Sequence, residues 1–117
     1  MELKKDTDFF IGKSLMQICF GLYQLQLNFN DNIRIEVSEG AVYEDIKKTQ
    51  FLWNFSNGRL PFPINNLIEY TITKANFSEE NSLTLFFNNN EKLKIISAGD
   101  NKESYIVNKG NDFEVIY

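Results

Sequence analysis

The sequence predicts a mainly β fold: an antiparallel β-sandwich or partly closed barrel of about eight strands, with at most one short helix in its middle. Three observations predict it. Apolar and polar residues alternate with a period of two, and clusters of Asn, Asp and Gly separate the alternating runs. One pattern is also written twice, as LQLNFNDNIRI at residues 25–35 and as LTLFFNNNEKLKI at residues 83–95, fifty-eight positions apart.

In the first copy Leu25, Leu27 and Phe29 point one way and Gln24, Gln26 and Asn28 the other. After Asn30-Asp31-Asn32 the same holds for Ile33, Ile35 and Val37 against Arg34, Glu36 and Ser38. This is a hairpin with one wet face, closed by residues that tolerate positive φ. The second copy places Leu83, Leu85 and Phe87 before a longer, five-residue loop from Asn88 to Lys92, and Leu93 and Ile95 after it. Its opposite face carries Phe86 and Ile96, which predicts either cover on both faces or an apolar patch.

The repetition reaches upstream. FIGKSL at residues 10–15 precedes LIEYTI at residues 67–72 by fifty-seven positions, and strand-like MQICF and TKANF follow them. One residue inserted in a connecting turn accounts for the change of offset. The chain therefore reads as one domain, 1–117, built from two repeated three-stranded meanders. Their halves run about 10–38 and 66–97, with strands near 15–20, 23–29 and 33–38, then near 68–77, 82–88 and 92–97. ESYIVN and FEVIY add a C-terminal hairpin over 103–117, turning at Lys109-Gly110-Asn111-Asp112. The insert 41–64 is read as having no counterpart in the second half. Within it, residues 44–55 (EDIKKTQFLWNF) read as a short helix or as a strand, and Pro61 and Pro63 mark an extended crossover between the halves. Phe62 and Ile64 are too apolar to leave in water.

Composition narrows the function. Sixteen acidic against twelve basic side chains give a net charge of −4, against unaided nucleic-acid binding and in favour of a basic partner. Cys19 is the single cysteine, so no intrachain disulfide can form, and it lies in an apolar strand where an inert thiol is expected. The first ten residues lack the apolar run of a signal peptide, and no stretch is long and apolar enough to span a bilayer. A cytoplasmic protein with no membrane association is expected. Without an export signal, the Asn-Phe-Ser triplets at Asn54 and Asn76 are not read as glycosylation sites.

The chain contains no histidine, which removes histidine acid–base chemistry, Ser–His and Cys–His pairs, and the commonest zinc ligand. No phosphate-binding glycine loop or nucleophile elbow occurs. Asp6-Thr7-Asp8 has a ligand-like spacing, but it stands in a terminal segment expected to fray. The Asn-rich turns lack the glycine and distal glutamate of a calcium loop. No metal, no cofactor and no catalytic residue is expected.

The densest acidic group is Glu36, Glu39, Glu44 and Asp45. Beside Tyr43 and Trp53 it reads as an acidic, aromatic docking edge, although Lys47 and Lys48 weaken its field.

These elements together resemble a group of small bacterial proteins. The likeness rests on Leu83-Thr84-Leu85-Phe86-Phe87, the turn over 88–91, Leu93-Lys94-Ile95 and Glu103-Ser104-Tyr105. Members of that group resemble immunity proteins encoded beside polymorphic or contact-dependent growth-inhibition toxins. The resemblance implies a cytoplasmic protein that neutralises a cognate toxin by stoichiometric binding and not by turnover, and a basic nuclease toxin would suit the charge. Glu103 joins the partner-facing set, and a monomer or weak homodimer is expected when the protein is alone. The long aromatic insert departs from the group's pattern. Two other readings stay open: a small-ligand binding module with a cavity lined by Phe20, Phe29, Phe87 and Phe113, and a carboxylate-based hydrolase.

Overall fold

A computed structural model of the chain describes residues 7–54, 62–99 and 102–117. Among these residues there are ten strands and no α-helix. The strands are β1 (Leu15–Phe20), β2 (Leu25–Phe29), β3 (Ile33–Val37), β4 (Ala41–Glu44), β5 (Gln50–Trp53), β6 (Ile72–Phe77), β7 (Leu83–Phe87), β8 (Lys92–Ile95), β9 (Tyr105–Lys109) and β10 (Asp112–Ile116). Short 3-10 turns at Asp8–Phe10 and Ile64–Leu67 precede β1 and β6. Two five-stranded antiparallel sheets result, ordered β1-β2-β3-β9-β10 and β5-β4-β8-β7-β6. Each keeps two open edges, so neither closes into a barrel.

The two strands beyond the expected eight come from the middle of the chain. A helix over 44–55 would need one buried stripe, yet Ile46 and Leu52 are both exposed. Instead β4 turns back into β5. The Asp45 carboxylate accepts from the Lys47 and Thr49 amides at 2.9 Å each, while Lys48 takes a φ of 69°. Phe55 at the end of the expected helix, Pro61 in the crossover and Asp6 in the ligand-like triplet lie outside the described residues.

The alternation sets the core. Leu25, Leu27, Ile33, Ile35 and Val37 of one sheet belong to the same buried cluster as Tyr43, Leu83, Leu85, Leu93 and Ile95 of the other. Each such side chain contributes about 1.5–3 kcal/mol on leaving water. Phe62 and Ile64 pack on this cluster, as their apolar character requires.

Asp31 and Asn32 close the β2–β3 turn with φ near 60°. The β7–β8 loop is one residue shorter than expected, four residues (88–91) and not five. Asn90 takes a φ of 68°, so the Phe87 amide already reaches the Glu91 carbonyl at 2.9 Å. A bulge between Leu15 and Gln17 bends β1, and another between Ile72 and Lys74 bends β6. On the outer face of the second sheet Phe86 is half-buried under Lys74 and Lys92, whose ammonium groups stand 5.4 and 5.8 Å from the ring centroid. Both ammonium groups lie within cation–π reach of its face.

Candidate functional site

The residues that the sequence marks as partner-facing do not form one surface. Tyr43 and Trp53 are core residues, because β4 and β5 alternate and turn Ala41, Tyr43 and Trp53 inward. Tyr43 stacks on Phe51 with ring centroids 5.9 Å apart. Glu44 is only 8% exposed. Its carboxylate accepts from Gln50 Nε2 at 3.0 Å and lies 3.7 Å from both Lys48 Nζ and Lys92 Nζ. The Gln50 hydrogen bond, followed by the two lysines, holds the Glu44 carboxyl below its usual range against the cost of desolvation. Asp45 is committed to its turn. Glu36 lies on the outer face of the first sheet, 3.3 Å from Arg34 Nε, and accepts from Asn108 and Gln24 at 3.0 and 3.3 Å. Glu39 and Glu103 remain exposed.

Glu91, which the sequence did not single out, anchors a polar network on β4 and the β7–β8 turn. Its carboxylate accepts from the Tyr43 hydroxyl at 2.7 Å, from Asn89 Nδ2 at 2.8 Å and from the Ile46 amide at 3.3 Å. Burial, reinforced by this acceptor, pushes the Tyr43 hydroxyl up to about 12. Local sequence gives no sign of the pairing, since Glu91 sits in an Asn-rich turn 48 positions from Tyr43.

Glu91 lines an open groove of about 510 Å³ with Glu44, Lys48, Lys74, Phe86 and Lys92. A second groove of about 460 Å³ is lined by Asn28, Asn32, Arg34, Asn108 and Asn111. The four phenylalanines expected to line one cavity do not converge. Phe29 and Phe87 are buried in the core, whereas Phe20 and Phe113 are exposed. Among the described residues no three metal-ligating side chains gather, and no helix is long and apolar enough to cross a membrane.

Sheet register assembles a different surface. Phe20, Leu25, Val37, Tyr105 and Ile116 form one continuous row of partners across the first sheet. The chain ends of that row carry Leu22 and Tyr23 after β1, Glu39 after β3, Glu103 before β9 and Tyr117 after β10. The amides of Ser38 and Glu39 both donate to the Ser104 carbonyl, at 2.9 and 3.0 Å, so Glu39 and Glu103 are neighbours despite 64 intervening steps of chain. Ser104 and Tyr105 are buried beneath them, and the Tyr105 hydroxyl donates to the Asn81 carbonyl. Burial first, then the charge of Glu114, raises the Tyr105 hydroxyl above the ordinary tyrosine value. Leu22 is 80% exposed and Tyr23 66%. This end therefore joins two solvent-facing acids to large apolar and aromatic side chains. Comparison with protein-family models, curated proteins and solved structures found no match for the chain.

Proposed function

We propose that this chain is a non-catalytic binding protein, an immunity protein that neutralises a cognate bacterial toxin by stoichiometric binding. The observation that carries the reading is the end of the first sheet, where Glu39 and Glu103 stand beside Leu22, Tyr23 and Tyr117 on a backbone pinned through Ser104. Aromatic anchors and rim carboxylates are the groups that seat and steer a basic partner. The test is to co-express the chain with the product of the neighbouring reading frame and to measure association of the purified pair. Retention of a one-to-one complex, with association slowed at least tenfold by Glu39→Lys with Glu103→Lys, supports the reading. Absence of a complex refutes it.

The fold itself we read as a duplicated sandwich, and matched contacts support this. The hydroxyls of Ser14 and Thr71 meet at 3.0 Å. Around them Leu15 N donates to Tyr70 O as Ile72 N does to Lys13 O, and Gly12 N donates to Ile72 O as Glu69 N does to Leu15 O. Asn30 and Asn88 accept from the Ser14 and Thr71 amides at 3.1 Å each. An offset of 57 or 58 residues carries one member of each pair onto the other. On this reading the hairpin β4–β5 corresponds to β9–β10, and each half completes its partner's sheet, since β4 lies beside β8 and β9 beside β3. The two grooves are then one groove written twice, with Asn28, Ile33, Arg34 and Asn108 of one standing where Phe86, Glu91, Lys92 and Glu44 stand in the other.

The amide-rich groove favours a second reading, a module for a small polar ligand. Retention of a small molecule by the purified protein, lost in Arg34→Ala, is the result that would support it.

A further inference from the structure

We propose that the free edge of β1 is a self-association surface, along which a second copy of this chain adds its own β1 in antiparallel pairing. An open edge offers unpaired backbone groups, and proteins blunt such edges with lysine, inward-pointing charge, short strands or covering segments. The two sheets have four open edges: β1, β10, β5 and β6.

Three of the four are blunted. β6 carries Lys74, and the 3-10 turn Asp8–Phe10 packs beside it. β10 begins with Asp112 and turns Glu114 inward, where the side chain is only 7% exposed and its Oε1 has no hydrogen-bond partner among the described residues. β5 is four residues long, with Lys47 and Lys48 in the turn before it.

Past Leu15, whose amide and carbonyl pair with Tyr70 and Glu69, β1 shows none of these devices among the described residues. LMQICF contains no charge and no proline, and Met16 and Phe20 are 55% and 56% exposed. It sits inside the longest uncharged run of the chain, residues 14–30. The position of the strand does not require this. β6, which flanks β7–β8 as β1 flanks β2–β3, shows solvent Thr73, Lys74 and Asn76, followed by Glu79 and Glu80 in its turn.

Charge selects the occupant. Two copies of a chain with net charge −4 repel, and an uncharged stretch is where they meet without adding close like-charge contacts to that screened repulsion. A strongly charged partner finds no counter-charge there, whereas a second β1 matches it in backbone and in apolar side chains. A two-fold axis makes such a contact self-complementary and closed. The bulge between Leu15 and Gln17 leaves residues 17–20 as the regular segment available for pairing.

The inference is independent of the toxin reading, whose charge-reversal variants lie off this strand. Sedimentation equilibrium on the isolated protein across the micromolar range tests it. The expected result is a particle of twice the chain mass, which Met16→Lys with Phe20→Lys shifts to monomer with at least tenfold weaker association. Thr73→Lys, at the corresponding place on β6, leaves the dimer intact. Cys19 is exposed on the same strand and supplies a second readout on the unaltered protein. Its labelling by a thiol reagent slows as protein concentration rises. A wild-type monomer at every concentration with constant labelling, or a dimer indifferent to both lysines, overturns the proposal. The first of those results would give the edge to a strand of some other protein.

Discussion

Replacing Tyr43 and Glu91 singly and together tests whether the buried network is one unit. The Tyr43 side chain is fully buried, and its hydroxyl donates to Glu91 at 2.7 Å. Tyr43→Phe removes the donor and leaves Glu91 with Asn89, the Ile46 amide and water, at a cost of about 1 kcal/mol. Glu91→Ala is worse. It takes the acceptor from the buried Tyr43 hydroxyl proton, although the contact with Asn66 stays, and frees the β4–β5 turn from its tie through the Ile46 amide, which together cost about 2 kcal/mol. In the double variant no hydroxyl is left to strand, so the total also stays near about 2 kcal/mol and the cycle shows about 1 kcal/mol of coupling. At about 2.1 cal/mol/K per residue, the 117 residues make each kcal/mol worth about 4 °C in Tm. Trp53 is the single tryptophan and is buried one strand from Tyr43, so its fluorescence follows unfolding in urea or heat. Costs that add within about 0.3 kcal/mol would mean that the 2.7 Å contact contributes nothing to stability, which would refute the reasoning.

Two further outcomes follow from backbone and charge. Glu69 holds a φ of 76° and Gly12 one of 84°, so Glu69→Gly should raise stability by about 0.5–1 kcal/mol and Gly12→Ala should lower it by about 1 kcal/mol. A fall in Tm for Glu69→Gly would contradict this. The Glu44 carboxyl is depressed in the folded state, so its contribution is present above the ordinary carboxylate range and is lost as pH falls. Glu44→Gln should therefore flatten the acid limb of the stability profile. Tyr43 has the opposite sign. Its folded value is raised, so above about pH 10 the unfolded chain holds fewer protons. Stability should fall as pH rises from there toward about 12, less steeply in Tyr43→Phe, and urea titrations at a series of pH values measure both limbs.

Strand identity was legible because local side-chain alternation encodes it. The inward positions of β2, β3, β7 and β8 are the apolar ones, and Asn or Asp supplies the positive φ that each turn needs. The middle was harder to read, because an Ile, Phe, Leu and Phe at near-helical spacing fit a helix as well as a strand. Only pairing with β8 commits residues 41–44 to the sheet and thereby turns Tyr43 into the core. The expected acidic edge failed for the same reason. Neighbours in sequence alternate faces in a strand, so Tyr43, Glu44 and Asp45 go to a core, a paired site and a turn.

By itself the sequence determined the β character, the twice-written hairpin, the uncharged stretch over residues 14–30 and the want of histidine chemistry. These follow from residue identity and local spacing. The tertiary structure alone decided which hairpin joins which sheet, that Glu91 takes the Tyr43 proton donor, and that Glu39 and Glu103 share one end. Those contacts join residues 48 to 76 positions apart, where the energy of pairing and packing, and not local propensity, selects the neighbour.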